Sequence, residues 1–165
     1  MKKLIIFISV LLITTITSAS DFREVSWGMS KLEVLSTEDL NPISFKGSYV
    51  IYETYVIGKK MMIIYEFLYN NLIKASYSFK NKDKSEYEKF HDILTEKYGS
   101  PVFDMDYNPL DYKYKWETSE SRIFFRPGKD RTSRIDYESK EYEYLREKKK
   151  YSQESIDETE IADNF

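Results

Sequence analysis

Apolar side chains occur on both faces of a predicted β-hairpin formed by residues 48–69. Its two strands, Ser48–Ile57 (SYVIYETYVI) and Lys60–Tyr69 (KMMIIYEFLY), are rich in strand-forming residues, and Gly58-Lys59 predicts a type II′ turn between them. An antiparallel sheet with one face in water does not have this pattern. The other half of the chain, a second copy or a ligand must therefore cover the second face. On the second strand, one side has Met61, Ile63, Tyr65, Phe67 and Tyr69, and the other has Met62, Ile64 and Leu68.

Four further segments are predicted strands. Leu72–Lys80 alternates apolar and polar residues and follows an Asn70-Asn71 turn, which indicates one buried and one solvated face. The others are Asp111–Glu117, Arg122–Arg126 and Arg131–Glu138. The order helix, three strands, helix, three strands predicts an α+β fold, with antiparallel sheet or sheets and helices packed on one face. It is compatible with a tandem αβββ arrangement.

The first predicted helix has a clear start. Ser30 and Glu33 form a capping box, and the helix is expected to end near residues 36–38. Asn41-Pro42 then closes the segment.

The second helix is predicted from both of its ends and from its apolar stripe. Ser85 is the expected N-cap, and Gly99 stops the helix ahead of Pro101. The stripe, at helical spacing, consists of Tyr87, Phe90, Leu94 and Tyr98.

Residues 1–19 have the three-part order of a cleavable signal peptide. Two lysines precede an apolar run, and small residues follow it, which predicts cleavage between Ala19 and Ser20. The apolar run is shorter than the roughly 20 residues that a spanning helix needs. Because the chain has no cysteine, a lipid anchor at the cleavage site is not expected. The mature protein is thus predicted to be soluble and periplasmic or secreted, with no stable membrane anchor.

Length and charge predict one globular domain and argue against nucleic-acid binding. The signal peptide contains two lysines and no acidic residue, so its removal changes the formal net charge from −3 to −5. Binding to the phosphates of a nucleic acid needs a concentrated positive surface, which a net negative chain does not favour. Residues 20–140 fit a single α+β domain. Residues 141–165 are predicted to be a charged tail, first helical and then disordered.

No catalytic or metal-binding pattern stands out, and no cofactor is expected. His91 is the single histidine, and without cysteine it cannot assemble a zinc site of ordinary composition. The stretch Asp104–Asn108 opens like an EF-hand loop, but Pro109 and Lys115 replace the required Gly and Glu. We interpret it as an acidic surface loop, and His91 as a residue at the edge of the core.

The segment Phe22–Val34 contains the motif W-G-M-S-x-x-E-V, from Trp27 to Val34. It resembles the opening of a group of uncharacterised exported bacterial proteins. The helix start from Gly28 to Val34 is also similar to that of the SmpA/OmlA-type outer-membrane assembly lipoproteins, and more loosely the chain resembles the β-lactamase-inhibitor fold. The lipid-bearing cysteine of those lipoproteins is missing here. These resemblances imply an exported α+β binding or scaffold module.

The leading hypothesis is therefore a non-enzymatic module of the bacterial envelope that binds a protein or envelope component through an aromatic sheet surface. One alternative is a carrier that encloses a small apolar ligand in a Tyr-lined pocket. Another is a hydrolase that uses a carboxylate pair. The candidate binding surface consists of Tyr49, Tyr55, Tyr65, Phe67 and Tyr69.

Overall fold

The computed structural model describes residues 21–81, 84–102, 114–127, 132–145 and 147. Within these residues, seven strands form one antiparallel sheet in the order β1-β2-β3-β4-β7-β6-β5, so the predicted α+β class is confirmed. The helices are α1 (Lys31–Thr37) and α2 (Lys84–Tyr98), and the strands are β1 (Pro42–Lys46), β2 (Tyr49–Val56), β3 (Lys59–Leu68), β4 (Asn71–Lys80), β5 (Tyr114–Glu117), β6 (Ser121–Pro127) and β7 (Thr132–Ser139).

The two halves of the chain join in the middle of the sheet. Strand β4 pairs with β7, with Ala75 opposite Tyr137 and Tyr77 opposite Ile135. The order is one helix, four strands, a second helix and three strands, instead of a tandem αβββ arrangement. The additional strand, β1, begins at Pro42, where the sequence predicted the end of the α1 segment. Proline has no amide hydrogen to donate, but it is tolerated as the first residue of an edge strand.

Two tight turns lie one residue earlier than predicted. Ile57 and Gly58 connect β2 to β3 and both have positive φ, 53° and 73°. Tyr69 and Asn70 connect β3 to β4 with φ of 50° and 65°. Positive φ at both central residues is typical of the type I′ turn, whose twist matches that of the flanking strands. The prediction of a type II′ turn at Gly58-Lys59 is therefore wrong.

The helix ends follow the predicted chemistry, with one exception. The capping box is present: the Glu33 amide donates to Ser30 Oγ at 3.3 Å, and the Ser30 amide donates to Glu33 Oε2 at 2.7 Å. Helix α2 stops at Gly99, which has a φ of 84°. Ser85 lies inside α2 and is not its N-cap, since the helix already includes Lys84.

A single core lies between the sheet and both helices. Val34 comes from α1, Phe90 and Leu94 come from α2, and all three pack with residues of β2 to β7. Phe22, just before α1, is also buried there, with its ring centroid 4.9 Å from that of Tyr137 and 5.0 Å from that of Tyr77. Both helices therefore pack on one face of the sheet, as the sequence predicted.

Several predictions concern residues outside the described part of the chain. These are the signal peptide of residues 1–19 with its Ala19-Ser20 cleavage site, the acidic loop Asp104–Asn108, and residues 151–165 of the tail. The first part of the tail includes a helical turn at residues 143–145. No helix among the described residues combines the length and apolar character that crossing a membrane requires.

Candidate functional site

The five aromatic residues of the predicted binding surface do not share one surface. Tyr65 and Phe67 are 0% and 2% exposed and belong to the core. Tyr49, Tyr55 and Tyr69 are 43%, 68% and 73% exposed. Tyr49 and Tyr55 lie on β2, whereas Tyr69 lies in the β3–β4 turn. Tyr65 and Phe67 are therefore corrected from binding residues to core residues.

The two apolar sides of the hairpin have different environments. Met61 and Ile63 on β3 are 2% and 0% exposed because they face the helices and the core. Met62, between them in sequence, is 39% exposed and lies on the opposite side of the sheet. The first side is thus covered by the chain itself, and part of the second side remains in contact with solvent.

We call the solvent-contacting part of this second side the open face, formed by Tyr49, Ile51, Tyr55, Met62 and Ile64. Ile51 pairs directly with Ile64 across β2 and β3, and both are half-buried. Met62 lies diagonally next to Ile51, and Tyr55 lies diagonally next to Met62. The open face therefore has an apolar centre.

A charged pair lies within the open face. Glu53 is opposite Met62, and Lys60 is opposite Tyr55. The Lys60 Nζ and Glu53 Oε2 atoms are 2.7 Å apart. The open face therefore combines apolar side chains with one exposed ion pair.

The same side of the sheet is strongly polar over β4, β6 and β7. Asp136 is fully buried and accepts hydrogen bonds from Arg134 Nε and Ser76 Oγ, each at 2.6 Å. Lys74 Nζ and Arg126 Nη2 lie 3.5 and 3.7 Å from its carboxylate oxygens. A buried carboxylate needs such compensation, because removing a charge from water is costly. We assign this cluster a structural role at the seam between the two halves of the sheet.

A groove on the opposite, helix side contains two adjoining cavities. The first has a volume of about 360 Å³ and lies between α2, residues 21–23 and the sheet. Most of its walls are apolar, and three tyrosines line it, so we call it the tyrosine cavity. Residues that characterise it are Phe22, Met61, Tyr77, Leu94, Tyr98 and Tyr137.

The second cavity, also about 360 Å³, lies between the β2–β3 turn and α2. Lys59, Lys60 and Lys89 line it, and we call it the lysine cavity. Tyr55 of the open face also lines it, so this cavity extends around the end of the hairpin to the open-face side. Ile57 and Phe90 line both cavities, so the two adjoin at these side chains. This groove was not predicted from the sequence. The sequence feature that could have indicated it is the spacing of Lys89, Ile93 and Lys97. This spacing places two lysines and an isoleucine along one line of α2.

A hydrogen-bonded ionic cluster closes one end of the tyrosine cavity. Arg23 donates to the Glu38 carboxylate through two nitrogens, at 2.9 and 3.1 Å. The Tyr65 hydroxyl donates to the same carboxylate. Burial raises the pKa of Tyr65, and its hydrogen bond to Glu38 raises that pKa further. The cluster fixes the segment before α1 and the end of α1 to the sheet.

Two tyrosines of the cavity, Tyr77 and Tyr137, have pKa values raised above the ordinary value and stay protonated near neutral pH. Burial raises the pKa of Tyr77, while Arg23 acts in the opposite direction. Burial also raises the pKa of Tyr137 well above its ordinary value, and Tyr98 adds to that increase. These phenols can therefore donate hydrogen bonds inside a mostly apolar space. Asp21, on the cavity wall, has a pKa that burial raises.

His91 lies at the edge of the core, as predicted. Its ring centroid is 4.3 Å from that of Tyr114, and its Nδ1 is 3.2 Å from Asp92 Oδ1. Within the described ranges, His, Asp and Glu side chains form no group of three or more that could hold a metal ion.

Comparisons with known proteins give little beyond this geometry. The chain matches no protein-family model, and none of the curated proteins matches it. A solved structure that is similar to part of it is a DUF4309 family protein (YjgB) from Bacillus subtilis subsp. subtilis str. 168. That similarity has a TM-score of 0.40 and 14% sequence identity, over 67% of this chain and 78% of that chain. The proposed function therefore rests on the side chains of the open face and of the tyrosine cavity.

Proposed function

We propose that this chain is an exported, soluble, non-enzymatic binding module that binds a protein component of the bacterial envelope through its open face. The exposure of Met62 (39%) and Tyr49 (43%) on a strand pair whose other side is buried is the observation that carries the proposal. Contiguous apolar surface of this kind is characteristic of interaction sites.

The composition of the open face favours a protein partner. Tyrosine and methionine are enriched in the centres of protein–protein interfaces, and charged residues are depleted there. The exposed Lys60–Glu53 pair lies beside Met62 and Tyr55, where its charged groups can form hydrogen bonds with polar groups of a partner. Tyr55 and Tyr49 have rigid rings whose hydroxyl groups can hydrogen-bond to a partner.

Site-specific photo-crosslinking tests the proposal. A photoreactive phenylalanine analogue at Tyr55 should form one adduct of defined mass in the producing bacterium. The same analogue at Leu32, which is 75% exposed on α1, is the matched control and should not form it. Met62→Ser in the Tyr55-labelled protein should reduce the adduct several-fold. Identical adducts from both positions, or an adduct that Met62→Ser does not change, would contradict the proposal.

A second function, carriage of a small apolar ligand, is favoured by the tyrosine cavity. Its volume of about 360 Å³ lies within the range of roughly 300–1,000 Å³ that is usual for small-molecule sites. Its apolar walls combined with a few phenol hydroxyls also fit such a site, because apolar contacts bind the ligand and hydrogen bonds orient it.

Titration with the neutral apolar fluorophore N-phenyl-1-naphthylamine tests the carrier function. We expect saturable binding that Ile93→Trp reduces, because the larger side chain fills the cavity that Ile93 lines. Leu32→Trp adds the same indole at an exposed position and should leave binding unchanged. Binding that is insensitive to Ile93→Trp would exclude the tyrosine cavity as the site.

A further inference from the structure

The lysine cavity adds a charge preference to the groove. Of the charged residues that line the two cavities, five are basic and two are acidic. The whole chain has a formal net charge of −3, so the groove is more positive than its surroundings. The basic residues are Arg23, Lys59, Lys60, Lys89 and Lys97, and the acidic residues are Asp21 and Glu86.

The excess of basic over acidic residues is larger at one end of the groove, because the tyrosine cavity has two basic residues and one acidic residue. The lysine cavity has three lysines and one acidic residue, Glu86. The tyrosine cavity is lined mainly by apolar and aromatic side chains. Ile57 and Phe90 line both cavities, so the boundary between the two ends is apolar.

The lysines differ in how firmly they are already paired. Lys59 forms an ion pair with Glu86 and lies 5.9 Å from the centre of the Phe79 ring. Lys60 pairs with Glu53, and its side chain is 60% exposed. Lys89 is exposed and has no carboxylate partner among the residues that the structure describes. Because its pair with Glu53 holds the Lys60 ammonium on the open-face side of the sheet, Lys89 is the lysine of this cavity that we expect to bind a new anion.

Resting on the carrier function, we propose that the groove binds a single-chain anionic amphiphile, with its alkyl tail in the tyrosine cavity and its anionic head in the lysine cavity, on Lys89. The tail would pack on Met61, Phe90 and Leu94, which are at most 6% exposed. Burying an alkyl chain on these side chains supplies most of the affinity, at about 0.8 kcal/mol for each CH₂ group. Lys89 selects the charge of the head.

Calorimetric titration of the mature chain with dodecanoate and with dodecanol separates the two parts of the proposal. Both are used below their aggregation concentrations. We expect both to bind, dodecanoate about fivefold more tightly at low ionic strength, because Lys89 attracts its carboxylate. Added salt should reduce that difference, because salt screens exposed charges.

Substitutions of single lysines test where the head group binds. Lys89→Met keeps most of the alkyl stem and removes the charge, so dodecanoate affinity should fall by about fivefold, the upper range for one exposed ion pair, and dodecanol affinity should not change. Lys46→Met, at an exposed lysine of β1 outside the groove, is the matched control and should change neither. Equal affinities for the two ligands, unaffected by Lys89→Met, would overturn the head-group assignment and leave the carrier function in place. Binding of neither ligand would overturn both.

Discussion

At the scale of single residues, the structure depends on a few charges whose partners lie far away in sequence. Glu38 is the clearest example, because its carboxylate joins Arg23, which lies 15 residues earlier, to Tyr65, which lies 27 residues later. The Glu38 side chain is 3% exposed and the Arg23 side chain is 30% exposed. The pairing could not be predicted, since sequence spacing does not show which distant side chains meet.

Glu38→Ala should destabilise the fold by about 3 kcal/mol, because it leaves a partly buried guanidinium and a buried hydroxyl without their acceptor. The free energy of unfolding in urea measures this. Glu24→Ala, at an exposed residue beside Arg23, is the control and should change stability by less than about 0.5 kcal/mol. Equal effects of the two substitutions would contradict the assigned role of Glu38.

Glu117 gives a prediction about pH. Hydrogen bonds from Lys115 and then Lys140 lower the pKa of Glu117 from 4.5 to about 2. A carboxyl whose pKa is lowered by folding stabilises the folded state above its unfolded pKa, and this contribution is lost as the pH falls through the folded pKa. Because the Glu117 side chain is 45% exposed, solvent screening keeps the contribution below about 1 kcal/mol.

Glu117→Gln should therefore lower the free energy of unfolding near neutral pH, and the difference from the parent chain should shrink as the pH falls from 4.5 towards 2. Urea unfolding at a series of pH values measures the difference. If it persists unchanged at pH 2, the assigned ion pairs are not its source.

At the scale of elements, local chemistry predicted the α1 capping box, the end of α2 and the strands of the central hairpins. The candidate site was harder to predict. Strand alternation shows which residues of one strand share a side, but register and helix packing decide which side is buried. Val50 is opposite Tyr65 in the observed register, so Tyr65 points into the core while Tyr49 points to the open face. The groove requires α2 to lie next to the β2–β3 turn, which no local pattern indicates.

The β2–β3 turn contains a strained residue. Ile57 has a φ of 53° and is 53% exposed, and β-branched residues are unfavourable in this left-handed region. Ile57→Asn should raise the free energy of unfolding by about 1 kcal/mol, since asparagine followed by glycine suits a type I′ turn. Ile43→Asn, at an exposed isoleucine of strand β1, should not stabilise the protein. Thermal or urea unfolding compares the two, and a destabilised Ile57→Asn variant would contradict the turn assignment.

At the scale of the whole molecule, one sheet has two sides with different roles. Both helices and the core lie on one side, together with the groove. The other side has the buried Asp136 network at its seam and the open face over β2 and β3. The apolar residues on both sides of the hairpin are thus explained by a core on one side and, in our proposal, by a partner on the other.

Methionine oxidation tests this account most directly, because Met61 and Met62 are adjacent in sequence and lie on opposite sides of the sheet. Their exposed fractions are 2% and 39%. With peroxide and mass spectrometry, we expect Met62 in the purified protein to become sulfoxide at least about tenfold faster than Met61, because oxidation follows exposure. In the unfractionated envelope and medium of the producing bacterium, a bound partner should protect Met62 from oxidation, and the oxidation of Met61 should remain slow. Equal oxidation of Met62 in the two preparations would contradict the account.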